Sequence, residues 1–149
     1  MSKIQYKSPF TYLVATLFTL PNTVLLWFII MYPVSGVTGN IMHPFYHYLT
    51  CLIVFLVLWS WTLLGSEDLP EIIYRSCRLG ALLSLLLPAV TAIISFLWVV
   101  SEAGRPIGFL DGYSALEIPV YAAASALLFI VLFLTGSYFA ARHIDGVPF

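Results

Sequence analysis

The stretch LGALLSLLLPAVTAIISFLWVV, residues 79–100, decides the fold. It carries no charge, and as an α-helix at 1.5 Å per residue it reaches about 33 Å, enough for the roughly 30 Å of hydrocarbon in a bilayer. Within it Gly80, Ser84, Pro88, Thr91 and Ser95 recur at spacings of four, four, three and four, which stacks them on one helical face. In lipid such a face lets another helix come close, because association there rests on packing and interhelical hydrogen bonds rather than on the hydrophobic effect. The face is therefore expected to be a packing seam. The helix it meets is expected to be the last one of this chain or one from another protein.

The rest of the chain repeats this apolar character. Of 149 residues 61% are hydrophobic and 9% charged, whereas a soluble domain spends about a quarter of its residues on charge. Runs at about 9–32, 44–64, 69–100 (with 79–100 as its membrane part) and 115–141 each reach the ~20 residues that span a membrane. The expected fold is an all-α membrane protein, a four-transmembrane-helix bundle forming one integral membrane domain with short loops. No connection is long enough for a soluble catalytic domain of the usual ~100 residues.

Charge sets the expected orientation. Lys3, Lys7, Arg75, Arg78 and Arg142 flank the spans on one side and only Arg105 on the other. By the retention of positive charge in the cytoplasm, both termini are placed there, in a cytoplasmic (inner) membrane. The apolar run after Lys7 is longer than the 7–15 residues of a signal peptide core, so the first helix is read as an anchor. Six Lys and Arg and a net charge of −1 exclude a nucleic-acid surface, which needs clustered positive charge. Cys51 and Cys77 fall toward opposite sides of the membrane on this topology, and no disulfide is expected between them.

Several local signals refine the spans. Ser8-Pro9 is an N-cap followed by a first-turn proline. Pro21-Asn22 falls mid-span: the proline removes a backbone hydrogen bond, and the Asn22 amide is read as interhelical glue in preference to a substrate or ion ligand. Phe45, Tyr46 and Tyr48 are expected at one interfacial belt, with Trp59 and Trp61 at the other. Asp68-x-x-Glu71 around Pro70 reads as a capping box, so the third helix is expected to start near residue 69 and to run along the inner surface before entering the membrane. Its Arg75 and Arg78 suit anionic headgroups. Ser114-x-x-Glu117 repeats the box before the fourth helix, whose Ala122, Ala126, Gly136 and Ala140 offer small residues for close packing. Aligning Pro21 on Pro88 brings no other motif into register, so an internal duplication is not supported.

Site chemistry is sparse. His43 and His47 lie four apart on one helical face and can share a metal with Asp111, Glu117 or Glu102 from the same side; a helix-start histidine and a second one among interfacial aromatics explain them better, because the fixed third and fourth ligands of a metal signature are missing. His143 lies at the opposite end, which excludes a haem held by two histidines from different helices, and no C-x-x-C-H motif attaches one covalently. The centres of the spans hold no Asp, Glu, Lys or Arg, against an autonomous ion-coupled transporter, and phosphate-binding loops and nucleophile elbows are absent. No cofactor is strongly implied, and a haem held by a single histidine stays open. The expectation is a non-catalytic integral subunit, or an assembly or accessory factor, of a larger membrane complex, with the bilayer and other integral subunits as partners. The alternatives are a small homo-oligomeric channel or carrier lined by Asn22, Ser84 and Thr91, and an outward metal or cofactor site at His43 and His47.

Overall fold

A computed structural model of the chain describes residues 8–38, 44–66, 68–101 and 117–144. Ser8 begins the first helix as its cap, its Oγ accepting from the Thr11 N–H at 3.3 Å, and Pro9 occupies the first helical position, where a missing N–H costs nothing. Helix α1 runs Pro9–Thr38, α2 Pro44–Leu64, α3 Leu69–Ser101 and α4 Glu117–Ile144. All four are long and apolar enough to cross a membrane, which makes this a multi-pass membrane protein.

α1 continues through Pro33 to Thr38, beyond the end expected at residue 32. A proline late in a helix removes one hydrogen bond without ending the helix when the turn before it is held. Here Met31 and Tyr32 are both fully buried against neighbours. The first turns of α3 pack against the rest of the chain, with Ile72, Ser76 and Cys77 buried.

Side-chain pairs fix the directions. Tyr12 and Trp27 of α1 meet Trp59 and His47 of α2, each pair with ring centroids 6.0 Å apart, so α1 and α2 are antiparallel. Asn22 and Tyr32 of α1 meet Ser76 and Ser95 of α3, so α1 and α3 are parallel. Cys77 near the start of α3 lies against Gly136 near the end of α4, so that pair is antiparallel. The start of α1, the end of α2, the start of α3 and the end of α4 therefore share one end of the molecule, the end that carries Arg75, Arg78 and Arg142.

The helices are not arranged as a closed ring. α3 packs most extensively on α4 and then on α1, α1 packs on α2, and α2 approaches α3 only slightly. Among the described residues no Cα of α4 comes within 8 Å of α1 or α2. The order is an open row, α4–α3–α1–α2, with the core of Leu25, Cys77, Ala81, Leu83, Leu87, Ala122 and Phe133 gathered around α3.

Candidate functional site: a polar layer and a cleft

Asn22 stands halfway along the apolar window Pro9–Val34 and is buried. Its Nδ2 donates to the Phe18 carbonyl at 3.3 Å and to the Ser76 carbonyl of α3 at 2.8 Å. Only an amide N–H₂ can face two carbonyls, so the Oδ1 must point the other way. It points at Gly80: a Cβ there would sit 2.6 Å from Asn22 Oδ1 and 2.5 Å from Phe133 Cζ of α4. The bare Cα of Gly80 thus admits side chains from α1 and α4 to one point, where a Cα–H can meet the amide oxygen. The Pro21 ring frees the carbonyl of Leu17, four residues earlier. Asn22 bonds its neighbour Phe18 instead, so its work is across the interface. The Thr19 and Ser76 hydroxyls lie buried in the same layer, with no hydrogen-bond partner among the described residues.

Further along the seam Ser84, Thr91 and Ser95 are buried and Pro88 is half-buried. The Ser84 and Thr91 hydroxyls donate to carbonyls of their own helix, Gly80 at 2.7 Å and Leu87 at 2.9 Å, which satisfies them without a partner helix. Ser95 instead bonds the Tyr32 phenol of α1 at 2.8 Å. The seam therefore meets α1 at both ends and Phe133 of α4 at Gly80, where the sequence suggested α4 or a foreign helix. On α4, Ala122, Ala126 and Ala140 are buried, and a Gly136 Cβ would come 2.8 Å from Cys77 Sγ. Tyr32→Phe is expected to lower stability by about 0.5–1 kcal/mol, the usual worth of an interhelical hydrogen bond in a membrane protein. Denaturant unfolding in detergent micelles measures it, and Ser95→Ala should cost the same without adding to it.

Other expected site residues are dispersed. His43, Asp111 and Glu102 lie outside the described residues, as do Lys3, Lys7 and Arg105. His47 packs edge-on against Trp27, and Glu117 is exposed at the start of α4. Among the described residues no three His, Cys, Asp or Glu side chains gather as a metal site. Phe45, Tyr46, Tyr48 and Trp61 are exposed, whereas Trp59 turns inward and donates to Thr16 Oγ1 of α1 at 3.1 Å. Cys51 and Cys77 are both free thiols.

Where α3 begins and α4 ends, a cleft of about 730 Å³ opens, lined by Asp68, Leu69, Pro70, Glu71, Tyr74, Arg75, His143 and Ile144. Its size falls in the range of small-molecule sites, roughly 300–1,000 Å³. Asp68 opens α3 with its main-chain carbonyl, which accepts from Ile72 N at 3.2 Å, but the capping box expected of Asp68-x-x-Glu71 is not made from the Asp68 side, because its carboxylate is exposed and makes no hydrogen bond among the described residues. Arg75 is half-exposed: it pairs with Glu71 at 3.2 Å and lies where a Gly65 Cβ would otherwise be. Arg78 donates to the Tyr74 phenol at 2.7 Å, and Arg142 lies over the Tyr138 ring at 4.7 Å.

Comparison with protein-family models, curated proteins and solved structures finds no match. The geometry must carry the functional reading alone. Two of its parts escaped the sequence reading. Ser76 extends the seam by one turn, four residues before Gly80, and was legible from the same spacing. The cleft was not legible, because it joins Asp68 to His143 across helices far apart in the chain.

Proposed function

We propose that this chain is a non-catalytic integral subunit or assembly factor of a larger membrane complex, with both termini on the cytoplasmic face of a cytoplasmic membrane. The observation that carries the reading is the open row. α4 has one helix neighbour among the described residues, and α2 has one substantial neighbour. α4 turns Leu127, Leu128, Val131 and Leu132 outward, and α2 turns Leu52, Ile53, Leu56 and Val57 outward. In a closed bundle each helix packs between two others; here both edges remain open to foreign helices. The grouping of Arg75, Arg78 and Arg142 at one end supports the orientation. The turning of the Ser84 and Thr91 hydroxyls onto their own backbone, with Asn22 bonded across an interface, favours packing over lining a conduction path.

Extraction from the native membrane in mild detergent, with mass spectrometry of what co-purifies, tests this. A defined integral partner is expected, and a photo-crosslinker in place of Leu128 or Leu132 is expected to capture it. Recovery of the chain alone and monomeric overturns the proposal.

A further inference from the structure

The cleft between α3 and α4 lies at the end of the molecule that carries Arg75, Arg78 and Arg142, and its charged lining suits the headgroup layer rather than the acyl chains. At 1.5 Å per residue α3 is about 50 Å long and α4 about 42 Å, against roughly 30 Å of hydrocarbon and 40–45 Å with the headgroup layers. Both helices are thus longer than the acyl layer is thick, and the cleft lies between the first turns of α3 and the last turn of α4. Its lining is amphipathic. Leu69, Pro70 and Ile144 supply apolar wall, while Asp68, Glu71, Arg75 and His143 supply charge and hydrogen-bonding groups of both kinds.

The charges are not balanced. Glu71 is neutralised by Arg75 at 3.2 Å, whereas the exposed Asp68 carboxylate has no ion pair or hydrogen bond among the described residues. A cleft with one uncompensated carboxylate on the α3 wall and an imidazole on the α4 wall suits a ligand with an amine at one end and an anion near it. An ammonium donates to Asp68; a phosphate accepts from the His143 ring N–H and sits near the Arg75 guanidinium. The apolar wall suits the glycerol and first acyl carbons that follow.

We propose that this cleft binds the phosphoethanolamine headgroup of a membrane lipid, with its ammonium on Asp68 and its phosphate between His143 and Arg75. Phosphoglycerol headgroups bring no cation to Asp68. Phosphocholine brings a cation with no N–H to donate, so its bond to the carboxylate lacks the hydrogen-bonded part that strengthens such pairs. The Asp68 carboxylate is exposed, and the discrimination it confers is correspondingly modest, about three- to tenfold.

Native mass spectrometry of the purified protein, offered phosphatidylethanolamine, phosphatidylcholine and phosphatidylglycerol with identical acyl chains in equal amounts, tests the proposal. Phosphatidylethanolamine adducts should persist about three- to tenfold over the others. Asp68→Asn should abolish that preference, and His143→Ala should weaken retention of all three lipids alike, since each carries the phosphate. Both residues are exposed, and an unchanged unfolding transition shows that the variants fold. Equal retention of the three lipids by the wild-type protein, or a preference untouched by Asp68→Asn, overturns the proposal. Preferential retention of phosphatidylglycerol overturns it in favour of an anion site. If free O-phosphoethanolamine binds while the lipid shows no preference, the ligand comes from solution and the lipid reading falls.

Discussion

Gly80→Leu is expected to separate α1 and α4 from α3 and to cost about 3 kcal/mol or more, the upper part of the range for overpacking a tight interior. The side chain would begin within 2.5 Å of Phe133 Cζ and 2.6 Å of Asn22 Oδ1. Phe133 is stacked on Phe129, ring centroids 6.1 Å apart, and Asn22 is held by two hydrogen bonds through its Nδ2, so neither obstacle moves freely. Gly80→Ala distinguishes contact from helix propensity. Replacing glycine by alanine in a helix gains up to about 1 kcal/mol, yet the single methyl group meets the same two atoms. A net loss of about 1–2 kcal/mol is expected, since the overpacking cost exceeds the propensity gain. Unfolding in mixed micelles, with helix content followed by circular dichroism, reads both variants. A stabilising Gly80→Ala would mean that the three helices do not converge on this residue.

Asn22→Asp should be the second severe substitution, and it should be clearly worse than Asn22→Leu. The carboxylate has no donors for the Phe18 and Ser76 carbonyls that now accept from Nδ2, and it stands at the middle of its span. A charge there costs about 2.5–3.5 kcal/mol on insertion scales, and protonation of the acid restores only one of two donors. Asn22→Leu loses both Nδ2 bonds, the interhelical one worth about 0.6 to 2 kcal/mol in membrane proteins, but brings no charge into the span. The leucine side chain is of similar length but must still lie beside Gly80. Thermal unfolding of both variants in one detergent gives the ranking. Equal losses would show that Asn22 holds α1 by shape, not by its amide hydrogens; a stable Asn22→Leu protein with altered partner retention would show that the amide serves another molecule.

These two substitutions act at one layer because the chain brings its polar groups together there. Gly80 was legible in the sequence as part of a small-residue face, and Asn22 as a mid-span amide beside a proline. Their meeting was not. The Asn22–Ser76 bond joins residues 54 apart in the chain, and no local pattern distinguishes it from a bond to α2, to α4 or to another protein. The cleft was hidden for the same reason. Asp68 read as a capping-box residue, a role its exposed carboxylate does not take up, and the sequence suggested no other role for it. Arg75, expected at the headgroups, also pairs with Glu71 and is seated against Gly65.

By itself the sequence determined that the chain forms four helices able to cross a membrane, since twenty or so uncharged residues with their backbone groups satisfied internally leave a helix as the spanning structure. It also determined that one side of α3 is small and buried, because periodicity reports the face of a single helix. Only the tertiary structure decided which helix covers that face. It set α1 against Gly80 and Ser95, placed α4 on the adjacent side through Gly136 and Cys77, and left the row open at both edges. The physical reason lies in the solvent: lipid is as apolar as leucine, so burial does not rank the neighbours of an apolar helix. The ranking comes from the fit of small residues and from a few hydrogen bonds between distant positions, and those exist only once the helices have met.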